Sequence, residues 1–557
     1  MVHGDTLILW TAAPMAPLST HAEADGCALL LGDAILPGAD HRVDARSVLH
    51  DWRSRTTIAP PTYDGLHVAI AVRGCDVAIG GDVLGLAPIV YAAAGPARLA
   101  GSSSALFSRH PLFDDGLDVR GLFGHLLTGG PVEGRTLRRG VTRLGAGRLL
   151  RWSGTEPAQE CALYSAPPAG IDSALDFEAG VERYDAALHA AVRRHGAVHT
   201  RLSLLLSGGR DSRLLGGYAS RDRSLSGAFT LGAPSDHDAA CATRVAHALR
   251  TSHRIHDLPF SAFPRHADRN VRHELLSGGM SNVHTWAGVD ALAGIGGGLL
   301  SGYLLEIRQI APVPQTIGGM LDWTYAHAMT PSQLRALVQP HLRATVDATA
   351  DAIAQRLTDV GAGCAAGANS NERSWRWFLA TNARFHAGAV PWRYTSAAWP
   401  VLPILDQDLL RTLQGMPPAW LDGRRMQDAV LRRHFPALAR LPLDRNADDV
   451  RPLAPSALYR VRDALTRTLA RRQRGPSVER RYYARMYDFD NPGWQLIRAS
   501  AEAGRPQLAE WFDADALERL LPAPGHTAAH ADPIAAGFAP KLLTGFMRAL
   551  VLGELDA

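Results

Sequence analysis

The chain has 557 residues, 46% of them apolar and 20% charged, with a formal net charge of +4. That length exceeds what a single hydrophobic core serves, so two or three folded domains are expected and a disordered chain is excluded. So small a charge excess argues against a general polyanion binder, and no apolar run is long enough to cross a bilayer. The five cysteines, Cys27, Cys75, Cys161, Cys241 and Cys364, are scattered and form no CxxC pair, which argues against a disulfide framework and a zinc site. The N-terminal run Leu7–Trp10 has no basic residue before it except His3, so a secretory signal is not expected and a cytoplasmic location is.

In chain order, the first 165 residues carry short apolar segments cut by Gly, Pro and Asp turns, at 67–72, 77–80, 89–92 and 148–152. This spacing predicts a strand-rich domain over 1–165. Residues 165–174 read as a linker, and a second domain is expected over 175–557. That second part opens with a helical pattern from Phe177 to His195. The apolar run Leu202–Leu206, a glycine turn and a helix through Tyr218 come next. They are followed by a strand at Leu225–Thr230, a helix at His237–Leu249, a strand at Gly298–Ser301 and long helical stretches to the end. Strands alternating with helices predict a parallel sheet covered by helices, with its ligand at the carboxyl ends of the strands. Residues 361–369, rich in Ala and Gly, read as a loop.

The glycine turn is Ser207-Gly208-Gly209-Arg210-Asp211-Ser212. Its glycines let the backbone approach an anion, and the helix N-terminus behind it supplies oriented N–H groups. Ser207 and Ser212 add hydroxyl donors, and Asp211 is placed to reach either a magnesium ion or the loop backbone. The spacing is neither that of a Walker A loop nor that of the dinucleotide fingerprint.

Two further features stand out by charge. The stretch Arg467, Arg471, Arg472, Arg474, Arg480, Arg481 and Arg485 is interleaved with Tyr482, Tyr483 and Tyr487; it reads either as a solvated helix face or as a dock for a partner or peptide. Among 58 basic residues there is a single lysine, Lys541, at the start of an apolar C-terminal helix through Leu552. It is either incidental or kept at a site where a planar guanidinium does not fit.

The phosphate turn resembles the pyrophosphatase loop Ser-Gly-Gly-x-Asp-Ser of enzymes that cleave ATP to AMP and pyrophosphate. The order of parts around it is similar to the asparagine synthetase superfamily over nearly the whole chain. In the N-terminal part, Gly81-Asp82 through Pro88-Ile89-Val90-Tyr91 resembles that family's Arg-Asp-x-x-Gly-x-x-Pro turn, with further landmarks at Gly101–Leu106 and Leu144–Gly147. The resemblance implies a mixed α/β and α+β architecture. Its first part is a glutaminase-like αββα sandwich of the N-terminal-nucleophile type, and its second a parallel-sheet synthetase domain with a helical C-terminal extension. A glutaminase needs a mature N-terminal cysteine, whereas this chain begins Met1-Val2-His3, so the sandwich is expected to be inactive.

In the synthetase part, Phe229-Thr230-Leu231-Gly232 resembles the strand whose edge holds adenine, and Asp238 with its helix fits as well. Ser301-Gly302-Tyr303-Leu304-Leu305-Glu306 stands where the family has Ser/Thr-Gly-x-Gly-x-Asp. Glu306 falls on the acidic, magnesium-binding position, and Leu304 replaces a glycine. Tyr303 falls where β-lactam synthetase carries a tyrosine that helps deprotonate an amine. It is either that or a tyrosine buried beside the loop, and Glu372 is the candidate carboxylate partner. Leu402-Pro403-Ile404-Leu405-Asp406 resembles a later family motif. Arg424–Pro442 and the tail Ala531–Ile534 through Leu543 look most like the lasso peptide macrolactam synthetases. That relation implies ATP and Mg2+ as cofactors, with pyrophosphate on Ser207, Gly208, Gly209, Asp211 and Ser212 and nucleotide contacts at Leu231, Gly232 and Gly302. It places the metal on Asp211 and Glu306 and assigns catalytic roles to Lys541 and Tyr303. It also implies a precursor peptide as substrate, with a leader-peptide-binding protein and a leader protease as partners and no nucleic acid. A small-molecule amide or β-lactam synthetase remains the main alternative; a tRNA-modifying enzyme and an inactive scaffold are the others.

Overall fold

A computed structural model describes residues 1–52, 61–164, 175–306, 316–362, 370–445, 450–461, 480–528 and 538–555. The expected linker 165–174, residues 363–369 of the expected loop, Arg467–Arg474 and Ala531–Ile534 lie outside these residues; the first two positions of that loop, 361 and 362, instead end the helix Arg343–Ala362.

The N-terminal part is built of antiparallel strands. After a short hairpin of β1 (Val2–His3) and β2 (Thr6–Leu7) come β3 (Leu18–Glu23), β4 (Gly26–Gly32), β5 (His67–Arg73), β6 (Asp76–Gly81), β7 (Val90–Ala94) and β8 (Ala97–Gly101). The strands β9 (Thr142–Arg143), β10 (Arg148–Ser153) and β11 (Gln159–Ala162) complete the set. They form a six-stranded sheet in the order β11-β10-β6-β5-β4-β3 and a three-stranded sheet in the order β8-β7-β9. Alternation along each strand sorts the side chains. Cys27, Leu29, Val72, Val77, Ile79 and Leu150 of the larger sheet pack against Ile89 and Leu144 beside the smaller one. On the outer face, Ala28, Leu30 and Ala69 receive Ala45, Val48 and Leu49 of α1 (Ala45–Asp51), which Asp44 caps through the Ser47 N–H at 2.8 Å. The four segments read from the sequence are all strands. β3 and β4 went unread because β4 is apolar without interruption (Gly-Cys-Ala-Leu-Leu-Leu-Gly) and β3 is a polar edge.

The second part holds five parallel strands, β12 (Leu202–Leu205), β13 (Leu225–Leu231), β14 (His253–His256), β15 (Gly298–Leu300) and β16 (Trp399–Val401), in the order β14-β13-β12-β15-β16. Helices α3 (Phe177–Ala197), α4 (Arg210–Arg221) and α5 (His237–Ala248) cover it, as the pattern predicts. Successive strands are joined by helical crossovers, which is why they run parallel.

The two parts share buried surface. The helix α2 (Val119–Thr128) lies in the same apolar cluster as α6 (Phe263–Glu274) and the C-terminal helix Phe538–Val551, through residues such as Leu122, Val271 and Phe546. Polar contacts run along the seam. His199 meets Asp33 at 2.7 Å, and Gln407 donates its backbone N–H and its side-chain amide to Asp64 at 3.1 and 3.0 Å. No described helix is long and apolar enough to cross a membrane.

Candidate active site

β12 is the middle strand of the parallel sheet, so its carboxyl end delivers the chain into the turn at Ser207 and then into α4 at Arg210. The serines close the turn on itself. Ser207 N–H donates to Ser212 Oγ at 3.0 Å, the two hydroxyls lie 2.9 Å apart, and Gly209 N–H donates to Ser207 Oγ at 3.2 Å. Gly208 donates its N–H to Asp238 at 2.8 Å. A Cβ on Gly208 would lie 2.7 Å from that of Cys241 and 3.0 Å from that of Asp444, so a side chain there would displace α5 or the 444 segment. Gly209 gives α4 no side-chain cap, which leaves the first N–H groups of that helix open to an anion. Beneath the turn, the buried Arg213 donates to the carbonyls of Gly208 at 3.1 Å and Pro442 at 2.6 Å, so a guanidinium fixes the loop's carbonyl side.

Asp211 accepts from Arg424 Nη1 at 3.0 Å and from Gln427 Nε2 at 2.6 Å. The turn 301–306 is fastened onto the same place: a Cβ on Gly302 would lie 2.7 Å from that of Asp211. Burial and the neighbouring Asp211 charge push the Glu306 carboxyl up to about 7, with Arg424 acting against them. Asp211, Glu306 and Arg424 therefore share one patch beside the phosphate turn. Burial opposes the Arg424 charge, but the two carboxylates hold its pKa above the ordinary guanidinium value. Two neighbouring carboxylates fit the donor chemistry of Mg2+, and the guanidinium suits the phosphate that would accompany it. Among the described residues a three-ligand grouping occurs elsewhere, Asp64, His195 and Asp406 at the seam, where Arg194 already donates to Asp406 at 2.5 Å.

Leu304, which stands where the resemblance calls for a glycine, has φ +62°. The left-handed turn is therefore kept, and the leucine side chain is buried in the core under the sheet. Tyr303 lies against Tyr394, with ring centroids 6.3 Å apart. Burial pushes its hydroxyl pKa up; Tyr394 and Arg393 act the other way, and Glu306 is the carboxylate whose charge reaches it. The side chain of Glu372, the partner expected from the sequence, lies outside the described residues.

Leu231 and Gly232 end β13. Gly232 donates its N–H to the His256 carbonyl at 2.8 Å, and its φ of +137° suits glycine alone. Over this strand end sits the helix Tyr482–Tyr487: Arg485 pairs with Asp236 at 2.6 Å, Arg480 donates to the Ser235 carbonyl at 3.2 Å, and the Tyr482 ring lies 3.0 Å from where a Gly232 Cβ would be. The described end of the basic tyrosine stretch thus docks on its own sheet.

Lys541 is fully buried. Its ammonium donates to the Tyr487 carbonyl and lies 5.4 Å from the Tyr487 ring and 5.5 Å from the Trp494 ring. Burial draws its pKa down to about 7, and Asp488 pulls it up. Arg393, Lys541 and His386 all bear on His284, whose ring meets that of Tyr487 edge-on, so Lys541 belongs to a buried basic chamber around His284 and Tyr487. The structure brings Ser207–Ser212, Gly302 and Glu306 together; Leu231 and Gly232 lie at the neighbouring strand end, and Lys541 is held by Tyr487 and Trp494.

Sequence reasoning did not assign Arg424, Gln427 or Arg213 to the site. Arg424 lies 213 residues downstream of Asp211. The signal available was the Arg424–Pro442 segment, whose family likeness carried no residue roles.

Residues 183–285 match the family described as asparagine synthase, a span that contains the phosphate turn, β13 and α5. No curated protein matches the chain. The match supports membership of the asparagine synthetase superfamily, whose members are ATP-dependent carbon–nitrogen ligases that form amides by adenylation.

Proposed function

We propose that this chain is an ATP-dependent macrolactam synthetase of the asparagine synthetase superfamily, acting on a lasso precursor peptide. The observation that carries the ATP-dependent reading is the Ser207–Ser212 turn at the carboxyl end of the middle parallel strand, with Asp211, Glu306 and Arg424 converging beside it. The substrate's Asp or Glu side-chain carboxylate attacks the α-phosphorus of ATP, forming an acyl–adenylate and releasing pyrophosphate. The peptide's N-terminal amine then attacks the acyl carbon, the amide closes the ring, and AMP leaves with the electron pair of the broken C–O bond.

Each residue has a task in this scheme. Ser207, Gly208, Gly209 and Ser212 cradle the departing pyrophosphate, aided by the uncapped start of α4. Asp211 and Glu306 would hold Mg2+, which supplies charge neutralisation along the phosphates. Arg424 adds a fixed positive charge on the same side. Leu231 and Gly232 border the nucleotide at the β13 end. Tyr303 relays the amine's proton, accepting it as its own phenolic proton passes to the Glu306 carboxylate, and Lys541 answers negative charge developing on the acyl oxygen. In this reading the facing N-terminal sheets are a glutaminase-like sandwich over 1–165, and 175–557 is the ligase domain. A cytoplasmic location, a leader-binding protein and a leader protease complete the reading.

The test is to incubate the protein with ATP, Mg2+ and the precursor peptide encoded beside it, together with the neighbouring protease and leader-binding protein. Mass spectrometry follows the peptide while AMP is assayed. A core peptide lighter by one water with equimolar AMP is the expected result. AMP without that loss would replace the macrolactam by a small-molecule amide, and no AMP would remove the adenylation reading.

A further inference from the structure

A cavity of about 780 Å3 lies between the N-terminal sheets and the helices Arg343–Ala362 and Ser370–Phe378. Ligand sites commonly measure ~300–1,000 Å3. Tyr91, Arg148 and Glu160 line it from the sheets, and Arg356, Asp359 and Trp375 from the helices. Both signs of charge, aromatic rings and hydroxyls therefore meet one space, which suits a peptide better than a purely anionic or purely apolar ligand.

Arg143 and Arg384 also line this cavity, and each is only 5% exposed. Both donate to the Gly85 carbonyl, Arg143 Nη2 at 3.0 Å and Arg384 Nε at 2.5 Å, so the two guanidiniums are brought side by side. Among the described residues neither forms an ion pair, and the Arg143 Nε is buried without a hydrogen-bond partner. Burial and the Arg384 charge pull the Arg143 pKa well down, with the Asp82 and Glu274 charges acting the other way; Arg143 also donates to the Leu86 and Ala87 carbonyls and Arg384 to the Leu144 carbonyl. Two adjacent buried cations are costly, and the one buried carboxylate that acts on both, Asp82, offsets at most one of the two charges, so a second anion would stabilise the pair. The cavity's own Glu160 is already engaged, by Tyr91 at 3.2 Å and Arg148 at 3.7 Å.

The helix that lines the cavity also packs toward the turn carrying Glu306. The helix carrying Trp375 continues through a π-helical turn at Leu379–Ala383, a rare geometry that concentrates at functional sites. Trp375, Leu379 and Ala383 share a core with Leu304 and Leu305 of the magnesium-side turn. Just beyond, the His386 carbonyl accepts from Asn282 at 2.8 Å, within the basic chamber that holds Lys541. One continuous element thus has the cavity on its side and the chamber at its end.

We propose that this cavity binds the carboxyl-terminal segment of the peptide substrate, with Arg143 and Arg384 receiving its free α-carboxylate. Its peptide nature rests on the ligase reading above. In a peptide joined through its N-terminal amine and one side-chain acid, the C-terminal carboxylate is the charge left outside the reaction, and a paired guanidinium site remote from the phosphate turn meets that need.

The test needs no ATP. Pooled N-acetylated hexapeptides, as free acids and as C-terminal amides, are equilibrated with the full chain, and the retained peptides are quantified by mass spectrometry. Free acids should be retained about tenfold or more over amides, as expected for charge-assisted hydrogen bonds. Ala380→Trp, which fills the cavity from the π-helical turn, should abolish retention. Arg356→Glu, at an exposed rim position, should weaken retention of acids more than amides even if the filling variant folds poorly. Equal retention of acids and amides, retention indifferent to Arg356→Glu in folded protein, or no retention by the native chain would each overturn the inference. A separate AMP assay distinguishes the two readings: acid-selective retention without AMP would sink the ligase and leave this site standing.

Discussion

The phosphate turn and the Lys541 chamber both hold ionic groups, but by opposite means. At the turn, Asp211 is bonded to Arg424 and Gln427, and Arg210 to Asp428 at 2.5 Å; the four charged groups are partly exposed and only Gln427 is buried. In the chamber a fully buried ammonium has a backbone carbonyl and two ring faces, and burial holds its pKa down near 7. Paired charges can exchange partners with an incoming phosphate or cation while keeping their hydrogen bonds. A buried ammonium without a carboxylate bonded to it gains most when negative charge develops nearby. The first region is built to bind, the second to respond.

The comparison breaks most readily at the turn. Asp211→Asn keeps the shape and removes the charge, so AMP formation should fall by about 10²–10³-fold. Arg424→Ala should fall less, by about tenfold to a hundredfold, since it removes one of several phosphate partners. Both are read as AMP released at saturating ATP; a native rate in Asp211→Asn would remove this residue from the site.

Next in size is the Lys541 effect, and its sign follows from the depressed pKa. Below about pH 7 the lysine is protonated in both folded and unfolded chains. Between about 7 and its ordinary value near 10 the unfolded chain keeps a proton that the folded one has lost, so stability rises with pH through that window. The rise should amount to about 1–4 kcal/mol and vanish in Lys541→Met. Urea midpoints of both proteins across that range decide it; parallel curves would mean that Lys541 is charged at all these pH values.

What the sequence made legible tracks how local each signal is. The turn Ser207–Ser212, the strands at 67–72 and 148–152 and the helices after β12 and β13 each carry their pattern within a few residues, and all of these elements form. The strand Trp399–Val401 escaped because Pro400 at its centre argues against a strand, and it forms as an edge strand by pairing with Gly298–Leu300. Arg424 and Arg213 escaped for a related reason: one meets a residue 213 positions away, and the other bonds backbone carbonyls, which no side-chain motif records. Tyr303 was flagged from a single position, yet its surroundings, Tyr394 and Arg393, come from a helix about ninety residues further on.

The smallest effect concerns Leu304, whose left-handed backbone stands where the family pattern has glycine. At an ordinary buried position glycine is less stable than alanine by roughly 0.5–1 kcal/mol, because the unfolded chain gains freedom. Here alanine would keep the left-handed strain, about 1–2 kcal/mol, that glycine releases. Both substitutions lose the leucine's burial and should destabilise the protein by a few kcal/mol, roughly 2–5. The informative quantity is the difference between them: Leu304→Gly should be as stable as Leu304→Ala or up to about 1 kcal/mol more stable. Denaturant midpoints of the two variants measure it. Should alanine prove the better by the ordinary margin, the turn at 301–306 does not hold its left-handed residue, and the placement of Glu306 beside Asp211 would have to be abandoned with it, because that placement depends on the turn.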